Sequence, residues 1–285
     1  MNWTTLVSCE ELAAHLGEPE LRIVDARFVL AGGDADAGER AWRASHLPGA
    51  AYAHLDRDLS DHRKPASEGR HPLPDADAFC ATLERLGITA DCQVVVYDAA
   101  DGAMAAARFW WLMKLLGHAR VAVLDGGFAR WSALGLPLDT DASPAARGSY
   151  YEHYDTTQIA GVEDVMQRMA SPAGRLLDAR APERFHGDVE PLDPVAGHIP
   201  GALNRPYADN LVEGRFRPAH ELQRDFVALL HGWGSDEVIL SCGSGVTACH
   251  NLLAMEHAGL QGARVYAGSW SGWVSDPSRP VATGS

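Results

Sequence analysis

The sequence predicts an α/β protein built from two tandem domains, each a mainly parallel sheet with helices on both faces. Three observations lead there. Four segments recur in the same order along the 285 residues. Short β-branched runs alternate with helical patterns. The strands end in polar turns, where parallel sheets of this kind bind their ligands.

The repeat begins with Leu21-Arg22-Ile23-Val24-Asp25-Ala26-Arg27, matched by Arg175-Leu176-Leu177-Asp178-Ala179-Arg180. Ser45-His46-Leu47-Pro48-Gly49-Ala50 then recurs as Gly197-His198-Ile199-Pro200-Gly201-Ala202. Val94-Val95-Val96-Tyr97-Asp98 matches Val238-Ile239-Leu240-Ser241-Cys242, and Gly126-Gly127-Phe128-Ala129-Arg130-Trp131 matches Gly268-Ser269-Trp270-Ser271-Gly272-Trp273. A repeat this long is a domain rather than a solenoid unit. The expected boundaries are 1–140, a linker over 141–155, and 156–285. Small residues and proline without periodicity in Asp141–Gly148 mark the connection.

Within the first copy, Asp75–Gly87 reads as a helix, with Phe79, Leu83 and Leu86 on one face and Gly87 as its C-cap. Arg108–Gly117 reads as a second helix, and Val121–Leu124 as a strand. In the second copy, Glu237–Leu240 is an apolar strand and Ala248–Met255 a helix. Between them lies Ser241-Cys242-Gly243-Ser244-Gly245-Val246-Thr247. A cysteine on a glycine-bearing loop between a strand end and a helix start meets inward-pointing amides and a positive helix end, which favour a thiolate. Asp98 and Cys242 both fall at the carboxyl ends of strands.

Composition narrows the classes. Apolar content of 46% and charged content of 22% are those of a globular protein. A formal net charge of −14 argues against nucleic-acid binding, which wants a basic face. No stretch reaches the length of a membrane span. The N-terminus carries no secretory pattern, so a reduced, cytoplasmic protein is expected. The five cysteines and thirteen histidines show no metal-ligand spacing and no nucleotide fingerprint appears, so neither a metal nor a cofactor is expected.

Cys242-Gly243-Ser244-Gly245-Val246-Thr247-Ala248 resembles the active-site loop of the rhodanese superfamily, in the form found in 3-mercaptopyruvate sulfurtransferases. The paired His-Leu/Ile-Pro-Gly-Ala and Gly-x-x-x-x-Trp segments extend the likeness to nearly the whole chain. The resemblance implies a non-catalytic N-terminal rhodanese-like domain, with Asp98 at the cysteine position, and a catalytic C-terminal one. It implies that Cys242 takes sulfane sulfur as a persulfide, cradled by Gly243, Gly245, Val246 and Thr247, from a small-molecule donor. A thiol, such as a thioredoxin-like protein, or cyanide then removes it. It further implies that Ser244 is linked to His71 and Asp56, with Asp58 and Asp61 as lesser candidates, and that Arg184 binds the donor carboxylate.

One departure stands out. The family's second substrate arginine would fall at position 193, where this chain has Asp193. The missing cation would then come from elsewhere, with Arg205 and Arg217 as candidates. The gap favours thiosulfate as the alternative donor, whereas the uncharged loop favours mercaptopyruvate. A cysteine phosphatase would need an arginine at position 248, where Ala248 stands. A persulfide carrier serving only a protein partner is the remaining alternative. His46 and His198 read as turn or strand-entry residues that satisfy backbone groups, Arg27 and Arg180 as members of structural ion pairs, and Cys249 as buried core.

Overall fold

The computed structural model describes residues 1–29, 34, 36–141, 148–169 and 175–284. Most of the expected start of the linker, 142–147, lies outside the described residues; 148–155 carry no helix or strand.

The first half contains β1 (Leu6–Val7), α1 (Cys9–Ala13), β2 (Leu21–Asp25), α2 (Ala37–Ala44), β3 (Ala51–Tyr52), α3 (Leu55–Asp58), α4 (Ala76–Arg85), β4 (Gln93–Tyr97), α5 (Ala106–Leu115), β5 (Val121–Leu124) and α6 (Gly127–Ala133). Its sheet runs β1-β5-β4-β2-β3 with every pair parallel. All five residues of β4 are buried, as expected for a strand covered on both faces. Alternation sorts its side chains. Ile23, Val95, Ala122 and Leu124 pack with Leu12 and Trp131 on one face, while α5 packs against β4 and β5. α5 is apolar nearly all round and buried along its length, which explains its start at Ala106, before the expected Arg108.

The second half contains β6 (Ile159–Ala160), α7 (Val162–Met169), β7 (Leu176–Asp178), α8 (Pro182–His186), β8 (Leu203–Asn204), β9 (Leu211–Val212), β10 (Arg215–Phe216), α9 (Ala219–Leu229), β11 (Ile239–Ser241), α10 (Ala248–His257), β12 (Arg264–Tyr266) and α11 (Ser269–Trp273). Its parallel sheet, β6-β12-β11-β7-β8, repeats the first topology strand for strand. Expected strand residue Glu237 instead closes a 3-10 turn, Ser235–Glu237. The copies also repeat their anchoring. Trp131 Nε1 donates to the Pro137 carbonyl at 2.8 Å, and Trp273 Nε1 to the Pro280 carbonyl at 2.9 Å. Each bond relieves a buried donor worth about 1–3 kcal/mol if left unmet.

The readings of His46, His198, Arg27 and Arg180 hold. Each histidine forms an isolated antiparallel bridge, His46 with Asp139 and His198 with Ala282, and bonds a backbone carbonyl through Nδ1. Arg27 pairs with Asp25 at 2.7 Å and Arg180 with Asp178 at 2.6 Å.

The two compact units are not contiguous in sequence. One comprises 1–61, 74–155 and 213–216; the other comprises 62–73, 156–212 and 217–285. The exchange of 62–73 departs from the expected simple split at the linker. Its cause is local: the Arg70 amide donates to Ser271 Oγ at 2.9 Å, and the residues before it lie against α11.

Candidate active site

Cys242 follows the last residue of β11, and α10 opens at Ala248, so the cysteine lies at the carboxyl end of a strand as expected. The loop's shape depends on Gly245, whose φ of +76° suits glycine. A Cβ there would lie 2.3 Å from the Ala267 carbonyl oxygen. The turn directs the Gly245 N–H to Cys242 Sγ at 3.1 Å. The carbonyls of Cys242 and Gly243 are held by the amides of Trp270 and Ser271, each at 2.9 Å. Val246 and Thr247 carry the chain into α10, where their carbonyls accept from Cys249 and His250.

Ser269, which the sequence reasoning missed, completes the sulfur's surroundings. Its Oγ accepts the Cys242 amide at 3.1 Å and lies 3.9 Å from Sγ. It is buried with a φ of +49°, unusual for a non-glycine residue. Such strain persists where surrounding structure over-determines a residue. The sequence signal was available, because Ser269 falls in the repeated Gly-x-x-x-x-Trp segment.

Ser244 and His71 meet: Ser244 Oγ and His71 Nδ1 share a hydrogen bond of 2.8 Å, and both residues are buried. His71 comes from the exchanged 62–73 segment, within the same unit as the loop. Asp56 and Asp58 lie on α3, and Asp61 follows; all three belong to the other unit. The Asp56 amide donates to His54 Nδ1 at 3.0 Å. Asp58 bonds the His54 amide and pairs with Arg85. Cys249 is buried, its thiol donating to the Gly245 carbonyl at 3.3 Å.

Two guanidinium groups face Gly243. A Cβ on that glycine would lie 3.4 Å from Arg70 Nη2 and 3.5 Å from both terminal nitrogens of Arg184. Arg184 is held by Glu190 at 2.7 Å, and Asp193 lies 2.7 Å from Arg70 and 3.5 Å from Arg184. Burial pushes Glu190 up, but the hydrogen bonds from Arg184 and from the Leu192 amide hold it below the ordinary carboxylate range. Burial raises Asp193 above that range against the pull of Arg70. The candidates Arg205 and Arg217 are each engaged by other partners. Arg205 bonds Asn210 and covers the Phe226 ring, and Arg217 pairs with Glu221 and Asp225. The second guanidinium facing Gly243 belongs to Arg70.

The first half shows what the same turn does without a cysteine. Asp98, at the end of β4, accepts the amides of Ala100, Gly102 and Met104 at 3.3, 2.9 and 3.2 Å. Its own carboxylate thus occupies the amide nest. Burial raises its pKa to about 6, with Asp101 adding to the rise. Among the described residues, no cluster of three or more His, Cys, Asp or Glu could hold a metal, and no helix is long and apolar enough to cross a membrane.

The chain matches the family described as Rhodanese-like domain over residues 8–134 and 161–276. It is 46% identical over its full length, and the full length of the relative, to a Pseudomonas aeruginosa protein named "Probable 3-mercaptopyruvate sulfurtransferase". It is 41% identical to a Mycobacterium tuberculosis protein named "Putative thiosulfate sulfurtransferase SseB", covering 98% of this chain and 97% of that one. The solved structure of the 3-mercaptopyruvate sulfurtransferase SseA from Escherichia coli superposes with a TM-score of 0.82 at 32% identity, covering 94% of this chain and 99% of that one.

Proposed function

The chain belongs to the rhodanese family of two-domain sulfurtransferases, and on that footing we propose that it moves sulfane sulfur from 3-mercaptopyruvate through a persulfide on Cys242. The observation that carries the choice of donor is the 2.8 Å bond between Ser244 and His71 in the loop that holds Cys242. A thiol donor whose carbon–sulfur bond breaks must give up one proton and receive it back on carbon, and a buried hydroxyl–imidazole pair suits that transfer.

The Cys242 thiolate attacks the donor sulfur. The S–S bond forms as the carbon–sulfur bond breaks, and the electron pair stays on the three-carbon fragment as pyruvate enolate. The thiol proton passes through Ser244 and His71 and returns to that carbon, releasing pyruvate. The persulfide left on Cys242 lies where the Gly245 amide donates, a preorganised site for the anion. Cyanide then attacks the outer sulfur, leaving as thiocyanate and restoring the thiolate. Alternatively, one thiol takes that sulfur and a second releases it as sulfide with formation of a disulfide. This is ping-pong covalent catalysis. Gly243, Val246 and Thr247 supply the backbone of the cradle. Arg184 binds the donor carboxylate, since a planar guanidinium meets a carboxylate through two hydrogen bonds. Asp56 enters as the third member of the relay on its motif match alone. The acceptor class includes a protein thiol of the thioredoxin type, and the site of action is the cytoplasm. The relative named for thiosulfate supports that donor as the second reading.

The test is a paired assay of mercaptopyruvate and thiosulfate with cyanide as acceptor, on wild type and Cys242→Ser. A kcat/KM at least about tenfold higher for mercaptopyruvate, lost in Cys242→Ser, is the expected result. A preference for thiosulfate overturns the donor, and activity surviving in Cys242→Ser overturns the mechanism.

A further inference from the structure

The family pattern asks for a second arginine at position 193, and the chain puts a carboxylate there. We infer that the second cation of the donor-carboxylate site is Arg70, brought from the 62–73 segment, and that Asp193 is the positioning residue that sets Arg70 beside Arg184. The inference rests on the reading of a carboxylate-bearing donor.

Geometry supplies the first argument. Arg70 Nη2 and both terminal nitrogens of Arg184 converge on the same spot, the space a Cβ on Gly243 would take, next to the nucleophile. Guanidiniums this close repel unless an anion lies with them. Asp193 provides one, lying 2.7 Å from Arg70 Nη1 and 3.5 Å from Arg184 Nη2. Its side chain is only 4% exposed. The two arginine side chains keep part of their surface exposed, 26% for Arg70 and 19% for Arg184. The arrangement therefore buries the fixed anion and leaves the cations open to an incoming one.

The second argument is an unmet donor. Arg70 Nε is buried and has no hydrogen-bond partner among the described residues. Such a group costs about 1–3 kcal/mol unless something pairs with it. The rest of the Arg70 guanidinium is engaged through Nη1 with Asp193 and, at 3.5 Å, the Leu192 carbonyl. A bound carboxylate is the kind of acceptor this group lacks.

The third argument concerns the loop. A basic side chain at position 243 would project directly at Arg70 and Arg184. Glycine keeps that space clear, and the positive charge is supplied from outside the loop. Asp193 is thus one half of an exchange: the cation absent at 193 is delivered from position 70, and the carboxylate at 193 fixes it.

The experiment measures binding of pyruvate, the carboxylate-bearing product, to Cys242→Ser protein by calorimetry, with and without Arg70→Gln, Arg70→Lys and Asp193→Asn. The control is discharge of a preloaded Cys242 persulfide by dithiothreitol, a neutral thiol, in proteins that keep Cys242. Arg70→Gln should weaken pyruvate binding at least tenfold, Arg70→Lys should recover part of the loss, and Asp193→Asn should weaken it less than Arg70→Gln does. Dithiothreitol discharge should stay within threefold of wild type throughout. Pyruvate affinity within twofold of the parent in Arg70→Gln overturns the inference. If Arg70→Gln does not fold, Arg70→Lys takes its place: unchanged affinity there overturns the inference and a partial loss upholds it. A wild type that prefers thiosulfate removes mercaptopyruvate as donor, yet a tenfold loss of pyruvate affinity would still uphold the role of Arg70.

Discussion

At the scale of single residues, the site depends on positions where one atom more is too many. Gly245→Ala would force a Cβ to 2.3 Å from the Ala267 carbonyl at a left-handed φ. We expect it to lower stability by about 2 kcal/mol or more and to remove sulfur transfer, because the amide that faces the sulfur is set by that turn. Thermal melting and pyruvate release read the two effects separately. His71→Ala should lower kcat on mercaptopyruvate by about a hundredfold. Cyanide discharge of a preformed persulfide, which moves no proton onto carbon, should change little. Equal loss in both half-reactions would mean that His71 only holds the loop.

At the scale of elements, the same strand–turn device is used twice for different ends. The turn after β11 directs an amide to a sulfur, and the turn after β4 surrounds a carboxylate. Burial lifts Asp98 to about 6, above its unfolded value near 3.8. For a carboxyl raised in the folded state, the unfolded chain loses its proton first, so folding stability falls as pH rises from about 4 to about 6. Urea titrations of wild type and Asp98→Asn across that window should show this part of the slope vanish in the variant. An unchanged slope would place the pH dependence in other groups. The turn itself was legible in the sequence, since a short apolar run ending in a polar, glycine-bearing stretch leaves few alternatives. The buried identity of α5 was only partly legible, because a helix apolar nearly all round carries no periodic face to mark its start.

At the scale of the whole molecule, the duplication in sequence reappears as two sheets of one topology, each packed on its own core. The units nevertheless exchange chain segments. A fragment spanning 156–285 lacks 62–73, and with it His71 and Arg70. We expect such a fragment to release no pyruvate from mercaptopyruvate even where circular dichroism shows it folded. Turnover by the fragment would remove both residues from the mechanism.

The sequence by itself determined the duplicated α/β architecture and the strand–turn–helix setting of Cys242, because these depend on residues close together in the chain. Strand periodicity, glycine at a left-handed turn and a helix start are local properties, read from neighbours. The sequence also brought Ser244 and His71 together, but only through the family resemblance. Tertiary structure alone decided which side chains converge from a distance. Ser269 reaches Cys242 from the start of α11, and Arg70 reaches Gly243 from a segment exchanged between units. Reading position 193 as a missing arginine followed from the family resemblance, counted along one segment. The guanidinium at Gly243 arrives from another, because proximity in a folded chain is set by packing, which spacing does not encode.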